Sequence, residues 1–220
     1  MVSRSSPVPD DTPRRIVVEA TRLFARRGYA GTSVQAIAEA VGVRRQSLLH
    51  WYPSKADLRE AVLDSVLDHW RETVPRVLAA ATTGSRRFEG LIGEVMRFFE
   101  ADPDRARLIL RECLDRPDAL REKLKERLSP WFPLVIDAVR TGQASGRVHP
   151  KLDPEVWLVE LLLMIVGSFA VDAVVTSLVD VPSDTLRARR NAELVRLARA
   201  SLFRPRPESP SEGGSHGRPQ

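Results

Sequence analysis

Several absences narrow the possibilities at once. The 220 residues include one cysteine, Cys113, so neither an intramolecular disulfide nor a cysteine-based zinc site can form. Four histidines, at 50, 69, 149 and 216, show no metal-ligand spacing. There is no Glu-x-x-His pair, no His-x-x-x-His, no phosphate loop and no serine elbow. A helical-bundle enzyme therefore lacks its chemistry, and no cofactor or metal is expected. Strand-like alternation and internal repeats are also missing. The most apolar stretch, Val156–Val179, is interrupted by Glu160 and Asp172. Between these acids lie eleven residues, against the roughly 20 that a membrane helix needs. It reads as a buried helix, with no membrane partner. The N-terminal stretch MVSRSSPVPDD has no apolar core of the signal-peptide kind, and the expected location is the cytoplasm.

What is present is helical. Apolar residues make up 43% and charged residues 29%, enough to bury a core. Arginine outnumbers lysine thirty to four. The net charge of +5 is unevenly placed, because residues 1–60 carry ten Lys and Arg against six Asp and Glu. A phosphate-binding segment requires such an excess, although a solvated basic face produces it too.

Thr32 to Lys55 is the most informative stretch. Thr32 or Ser33 can cap a helix whose apolar face is Val34, Ile37, Ala38 and Val41. Gly42 stands where that helix must stop, at a position that favours positive φ. Arg44, Arg45, Gln46 and Ser47 open a second helix held down by Leu48 and Tyr52. Pro53-Ser54-Lys55 ends it and caps a third. Two short helices about a tight turn form a helix-turn-helix, and the second begins with long side chains able to reach base edges in a major groove.

The flanking segments complete an all-α plan. Residues 1–11 read as a disordered arm, and Arg4, Arg14 and Arg15 lie where they can meet phosphate or the minor groove. Thr12 is expected to cap a helix that runs to Arg27 and stops at Gly28. A long helix opens at Ser54-Lys55, and Pro75 should kink or end it. Further helices are expected over about 86–101, 103–114, 118–142, 154–178 and 185–203. Pro130 and Pro133 should kink or break the fourth of these long elements. From residue 204 onward Pro, Ser and Gly dominate, as in a disordered tail.

The stretch FARRGYAGTSVQAIAEAVGVRRQSLLHWYPSKADL resembles the DNA-binding domain of the TetR family of bacterial transcriptional regulators. The likeness runs without a gap from about Ile16 to Leu63. It includes Phe24, Gly28-Tyr29, Thr32-Ser33-Val34, Ile37-Ala38, Gly42-Val43, Leu48, Tyr52 and Ser54-Lys55-x-x-Leu58. It implies about nine helices, with a DNA-binding domain at 12–55 and a ligand-binding and dimerisation domain at 56–203. It also implies a homodimeric repressor joined through its last two helices, bound to a palindromic double-stranded operator and released by a small-molecule effector. Control by a protein partner is the alternative.

Carried over residue by residue, the likeness puts Thr32 and Ser33 at phosphate on a helix N-terminus. Gln35 either reaches DNA or closes a capping box onto its own backbone. Arg44, Arg45, Gln46 and Ser47 fall at the start of the recognition helix, where Arg–guanine and Gln–adenine are the natural bidentate pairs. Arg44 replaces the family's usual capping serine, and Leu49 replaces its usual backbone-touching tyrosine. His50 follows and offers a polar contact, and Lys55 matches a phosphate-contacting lysine. In the bundle, Trp70, Met96, Phe99 and Cys113 are candidates for the effector cavity. Trp131, Trp157 and Met164 complete that set. Glu160 and Asp172 need partners if buried, either arginines across a dimer or a cationic ligand group.

Overall fold

The computed structural model describes residues 11–205. Most of the expected arm, Arg4 included, lies outside this range, as do the tail beyond residue 205 and His216. Among the described residues there are eleven α-helices and one short 3-10 turn, two more α-helices than the nine-helix expectation. The extra elements have local causes. The single helix expected over 118–142 is two, α7 (Pro117–Leu128) and α8 (Phe132–Ala144). Residues 129–131 separate them, because Pro130 has no N–H to donate and Pro133 suits only a first turn. The apolar helix expected to reach residue 178 stops at Ala170, giving α9 (Pro154–Ala170). The chain then bends by 66° into α10 (Asp172–Val175) and the 3-10 turn Thr176–Leu178.

The first three helices form the N-terminal unit. Helix α1 (Thr12–Arg27) has Asp11 rather than Thr12 at its N-cap position, and Pro13 in its first turn. It ends at Gly28, where φ is +75°. Its buried side chains Ile16, Ala20, Leu23 and Phe24 meet Ile37, Ala38 and Val41 of α2 (Val34–Val41) and Leu48 of α3 (Arg45–Trp51) in one core. A single small helical unit of this kind buries too little to be very stable alone. It leans on α4 (Lys55–Ala80), whose Leu58 and Val62 are fully buried in the same cluster.

Helix α4 runs 26 residues straight through Pro75, so the expected end there does not occur. Val74 and Val77 on either side are buried, and α4 packs along α5 (Gly84–Ala101). This packing outweighs the hydrogen bond that proline removes. Helix α6 (Asp104–Asp115) is the keystone, with α1 on one side and α9 on the other. Two arginines fasten it to α1. The Arg26 guanidinium donates to Asp104 at 3.1 Å, and Arg111 donates to the Ala25 carbonyl at 3.2 Å. The chain closes with α11 (Ser183–Leu202), after which Phe203 pairs with Val148 in an isolated antiparallel bridge.

Candidate functional site

The turn between α2 and α3 follows from a few local choices. The Ser33 hydroxyl accepts from the Ala36 N–H at 3.0 Å and caps α2. Gly42, at φ +78° and ψ +32°, lets its own N–H and that of Val43 donate back to Glu39 and Ala38. A side chain at this φ is strained, so glycine defines the turn. Helix α3 then opens at Arg44, whose side chain makes no capping bond. Its guanidinium, which has no ion pair among the described residues, puts a charge in place of a cap. Ser54 caps α4 through the Asp57 N–H at 3.1 Å. The Tyr52 hydroxyl donates to the Pro13 carbonyl at 3.3 Å and anchors the end of α3 to α1.

Only Leu48 of α3 is buried, so the helix presents one long outward surface. Arg44, Arg45, Gln46, Ser47 and His50 are all exposed along it, and Leu49 is half-buried beside them. Trp51 is also exposed, with the His50 ring edge-on at 5.7 Å. Gln35 is exposed on α2, where its amide donates to Glu39 at 2.7 Å instead of returning to the backbone, so no capping box forms. Lys55 sits at the start of α4 with its ammonium 4.2 Å above the Tyr29 ring, which fixes its position.

One expected contact is corrected. Thr32 is 1% exposed, and its hydroxyl donates to the carbonyls of Gly28 at 2.8 Å and Leu23 at 3.2 Å. It closes the α1–α2 turn from inside and cannot meet phosphate. Arg15 donates to the Val41 carbonyl at 2.6 Å, tying α1 to the end of α2, and is exposed beside the helix-turn-helix. Arg14 remains exposed.

Behind this unit lies a cavity of about 360 Å³, within the range of small-molecule sites. Leu63, Val66, Leu67, Trp70 and Val74 of α4 form one wall. Helix α8 supplies Phe132, Val135, Ala138, Val139 and Gly142, a stripe along its length, with Trp131 just before it. The expected Phe99, Cys113 and Trp157 also border it. Met96 and Met164 do not. On α5 the lining residues are Gly84, Arg87, Phe88, Leu91, Ile92, Val95 and Phe99. Met96 is turned about 100° from Val95 around the helix, into the core cluster. Met164 is half-buried on α9 and packs against that same cluster. His69, beside Trp70, stacks on Phe98 at 4.7 Å and is not a lining residue. Burial lowers its pKa from the usual histidine value, with Arg105 and Arg76 adding to the effect and Glu94 opposing it. Burial, followed by the Glu112 charge, raises the Cys113 thiol above its ordinary range.

The sequence reading missed the connection between these two regions. Arg59 of α4 and Glu112 of α6 form a buried ion pair, each side chain 4% exposed. The Arg59 Nε–H reaches both carboxylate oxygens at 3.1 and 3.0 Å, and Nη2 also binds Glu112. Arg59 lies in phase with Leu63, Val66 and Trp70, so helical period gave a signal that its charge concealed. Cys113, next to Glu112, borders the cavity, while Arg59 and Arg116 flank the Tyr29 ring that holds Lys55. Asp172 is satisfied within the chain by Arg190 and by Arg187 at 3.7 Å. Glu160 is exposed and has no ion pair among the described residues.

A helix-turn-helix whose recognition helix faces outward, carried on an all-helical bundle with an apolar cavity, defines a class of DNA-binding regulators. Comparison with known proteins gives the family. Residues 16–62 match the model for bacterial regulatory proteins of the tetR family, and residues 88–199 match the tetracyclin repressor-like C-terminal domain. The chain belongs to the TetR family. It is 31% identical to the HTH-type transcriptional repressor KstR2 of Mycolicibacterium smegmatis over 142 residues, 61% of this chain and 66% of that protein. It is 29% identical to the HTH-type transcriptional regulator RutR of Escherichia coli over 144 residues, 64% of this chain and 66% of that one. The fatty acid degradation regulator FadR from Bacillus halodurans superposes with a TM-score of 0.69 at 17% identity, covering 91% of this chain and all of the other. That last likeness is one of fold.

Proposed function

We propose that this chain is a homodimeric repressor that reads a palindromic operator and is released by a small-molecule effector. Residues 12–55 read DNA, and residues 56–203 hold the effector and the dimer contacts. Arg44, Arg45, Gln46 and His50 face base edges, while Ser33 and Lys55 hold phosphate. Gln35, Ser47 and Leu49 border the same surface. The observation that carries the reading is the continuity of α4. Its first residue, Lys55, stands at the helix-turn-helix, and its middle, Leu63 to Val74, walls the cavity. Helix α6 doubles that link, since it borders the cavity at Cys113 and binds α1 through Asp104 and Arg111.

Ligand that spreads these walls shifts α4 and α6 together and changes the separation of the two recognition helices in the dimer. A palindrome selects one separation, so bound ligand weakens the complex. A coupling of about 1–3 kcal/mol is the usual size and suffices for derepression. The dimer is supported by an exposed apolar row on α9, Val156, Val159 and Leu163 at 56, 45 and 57% exposure. Leu197 on α11 adds to it. Glu160 lies on that row and would find its cation across the interface.

Ala138→Trp, which fills the cavity from α8, tests the effector half. Operator affinity should fall about 5- to 150-fold with the dimer intact. Unchanged affinity would contradict release through the cavity and favour control by a protein partner.

A further inference from the structure

The cavity is apolar along its length but carries charge of one sign at one end. Its ionisable lining, apart from Cys113, consists of two arginines, Arg87 on α5 and Arg147 beyond α8. No carboxylate lines it among the described residues. The two arginines come from distant parts of the chain and meet at a single corner. Phe88, next to Arg87, packs edge-on against Phe203 at 5.5 Å. Phe203 bridges to Val148, and the Arg204 N–H donates to the Arg147 carbonyl at 3.1 Å.

Neither guanidinium has a carboxylate partner among the described residues. Arg87 gives its Nε–H to the Ala81 carbonyl at 3.0 Å, and Arg147 gives its own to the Ser145 hydroxyl at 3.0 Å. Both acceptors are uncharged, so the Nη donors remain available to an anion. Glu89, two residues beyond Arg87, is taken by Arg199 at 2.7 Å and cannot serve them. Gly84, the first residue of α5, also lines this corner, with open space where a Cβ would stand. The partial positive charge of the α5 N-terminus adds to the same field.

From this corner the cavity follows α8 back to Trp131. The lining residues Gly142 and Trp131 are eleven positions apart, which is about 16 Å of helix. We infer that the effector is an elongated amphipathic anion, with its apolar body along α8 and its acidic head, a carboxylate or phosphate, held by Arg87 and Arg147. This rests on the effector reading above and adds the ligand's polarity and direction. Arg147 is exposed and Arg87 half-buried, so water solvates both guanidiniums; a neutral head gains no charge-assisted bond from them, and a cation is repelled. An anion gains charge-assisted hydrogen bonds from both.

Calorimetric titration of the full chain with dodecanoate, dodecanol and dodecyltrimethylammonium, each below its micelle concentration, tests it. Dodecanoate should bind about tenfold or more tighter than dodecanol, a ratio in keeping with charged hydrogen bonds, and the cation should bind weakest. In the double variant Arg87→Gln, Arg147→Gln the preference for dodecanoate should disappear while dodecanol affinity stays at the parent value. That unchanged affinity also shows the cavity to be intact. Equal binding of acid and alcohol by the parent, or a preference that survives in the variant, overturns the anionic head and leaves the cavity reading standing. Tighter binding of the cation overturns it as well. Failure of all three probes to bind overturns both this inference and the effector reading beneath it.

Discussion

Glu112→Gln is the substitution that most directly probes the link between α4 and α6. It keeps the shape of the side chain and removes only its charge, leaving the Arg59 guanidinium buried against an amide. Both members of the pair are 4% exposed, so solvent cannot replace the lost partner. Burial by itself would lower the Arg59 pKa, yet the Glu112 hydrogen bond and charge, aided by Glu60, hold it above the ordinary arginine value. The variant loses that support, but a guanidinium does not give up its proton inside a protein, so Arg59 stays charged. Breaking a buried pair from one side costs about 3–5 kcal/mol, because the survivor is uncompensated. The remaining contact to Glu60 at 2.8 Å, itself half-exposed, places the expected cost near the lower bound. For a chain of this length each kcal/mol is about 2–4 °C in Tm, so a fall of about 6–12 °C is expected. The paired replacement Arg59→Met, Glu112→Leu restores an apolar contact of similar volume and should regain most of that loss. Scanning calorimetry of the parent, the single variant and the pair at equal protein concentration makes the comparison. A single variant within about 2 °C of the parent, or a pair no better than the single, would refute the reasoning.

Other consequences are open to measurement. Arg45→Ala and Gln46→Ala should each relax base choice at one operator position by about 1–3 kcal/mol. Lys55→Ala should weaken specific and random DNA alike, so binding curves on both sequences separate the two roles. Leu163→Glu places a charge in the exposed apolar row of α9 and should give monomers in analytical ultracentrifugation with helical content retained. His69 prefers its neutral form when folded, since its pKa lies below the usual 6.5. The unfolded chain therefore binds the extra proton first as pH drops. Stability from this group is fully present above pH 6.5 and is lost as pH falls through the folded value. Denaturant titrations between pH 7.5 and 5.5 should show a shallower loss for His69→Gln than for the parent.

The helix-turn-helix was legible because each of its marks has a local reason. Ser33 and Ser54 are capping oxygens, Gly42 holds a positive φ, and Val34 to Val41 repeats at helical period. The same local logic erred at Thr32. A hydroxyl beside the cap serves equally well as an internal tie, and only the packed turn from Gly28 shows which role it takes. Prolines marked the break between α7 and α8 correctly, but at Pro75 tertiary burial of Val74 and Val77 outweighed the same signal. The bend after Ala170 has neither Gly nor Pro at the break, so nothing in the pattern announced it. The cavity was partly legible, as large apolar residues at helical spacing must face some interior. Which of them border empty space depends on helix rotation, and this is why Met96 fell into the core and Phe99 onto the wall. The functional charges were least visible. Arg59 and Glu112 are 53 residues apart, and Arg87 lies on α5 while Arg147 lies in the turn after α8. In a chain with thirty arginines, only contact singles these out.

The central claim is sequence-specific DNA binding by a dimer through α3. Selection of bound sequences from a random duplex pool, followed by titration of the enriched site over a range of salt, tests it most directly. The account predicts a palindrome whose half-sites lie about one helical turn apart, bound by one dimer. Affinity for it should fall steeply with salt, as counterions released by Lys55, Arg44 and Arg45 require. A pool that yields no palindrome, or a site whose affinity is flat in salt, would contradict it.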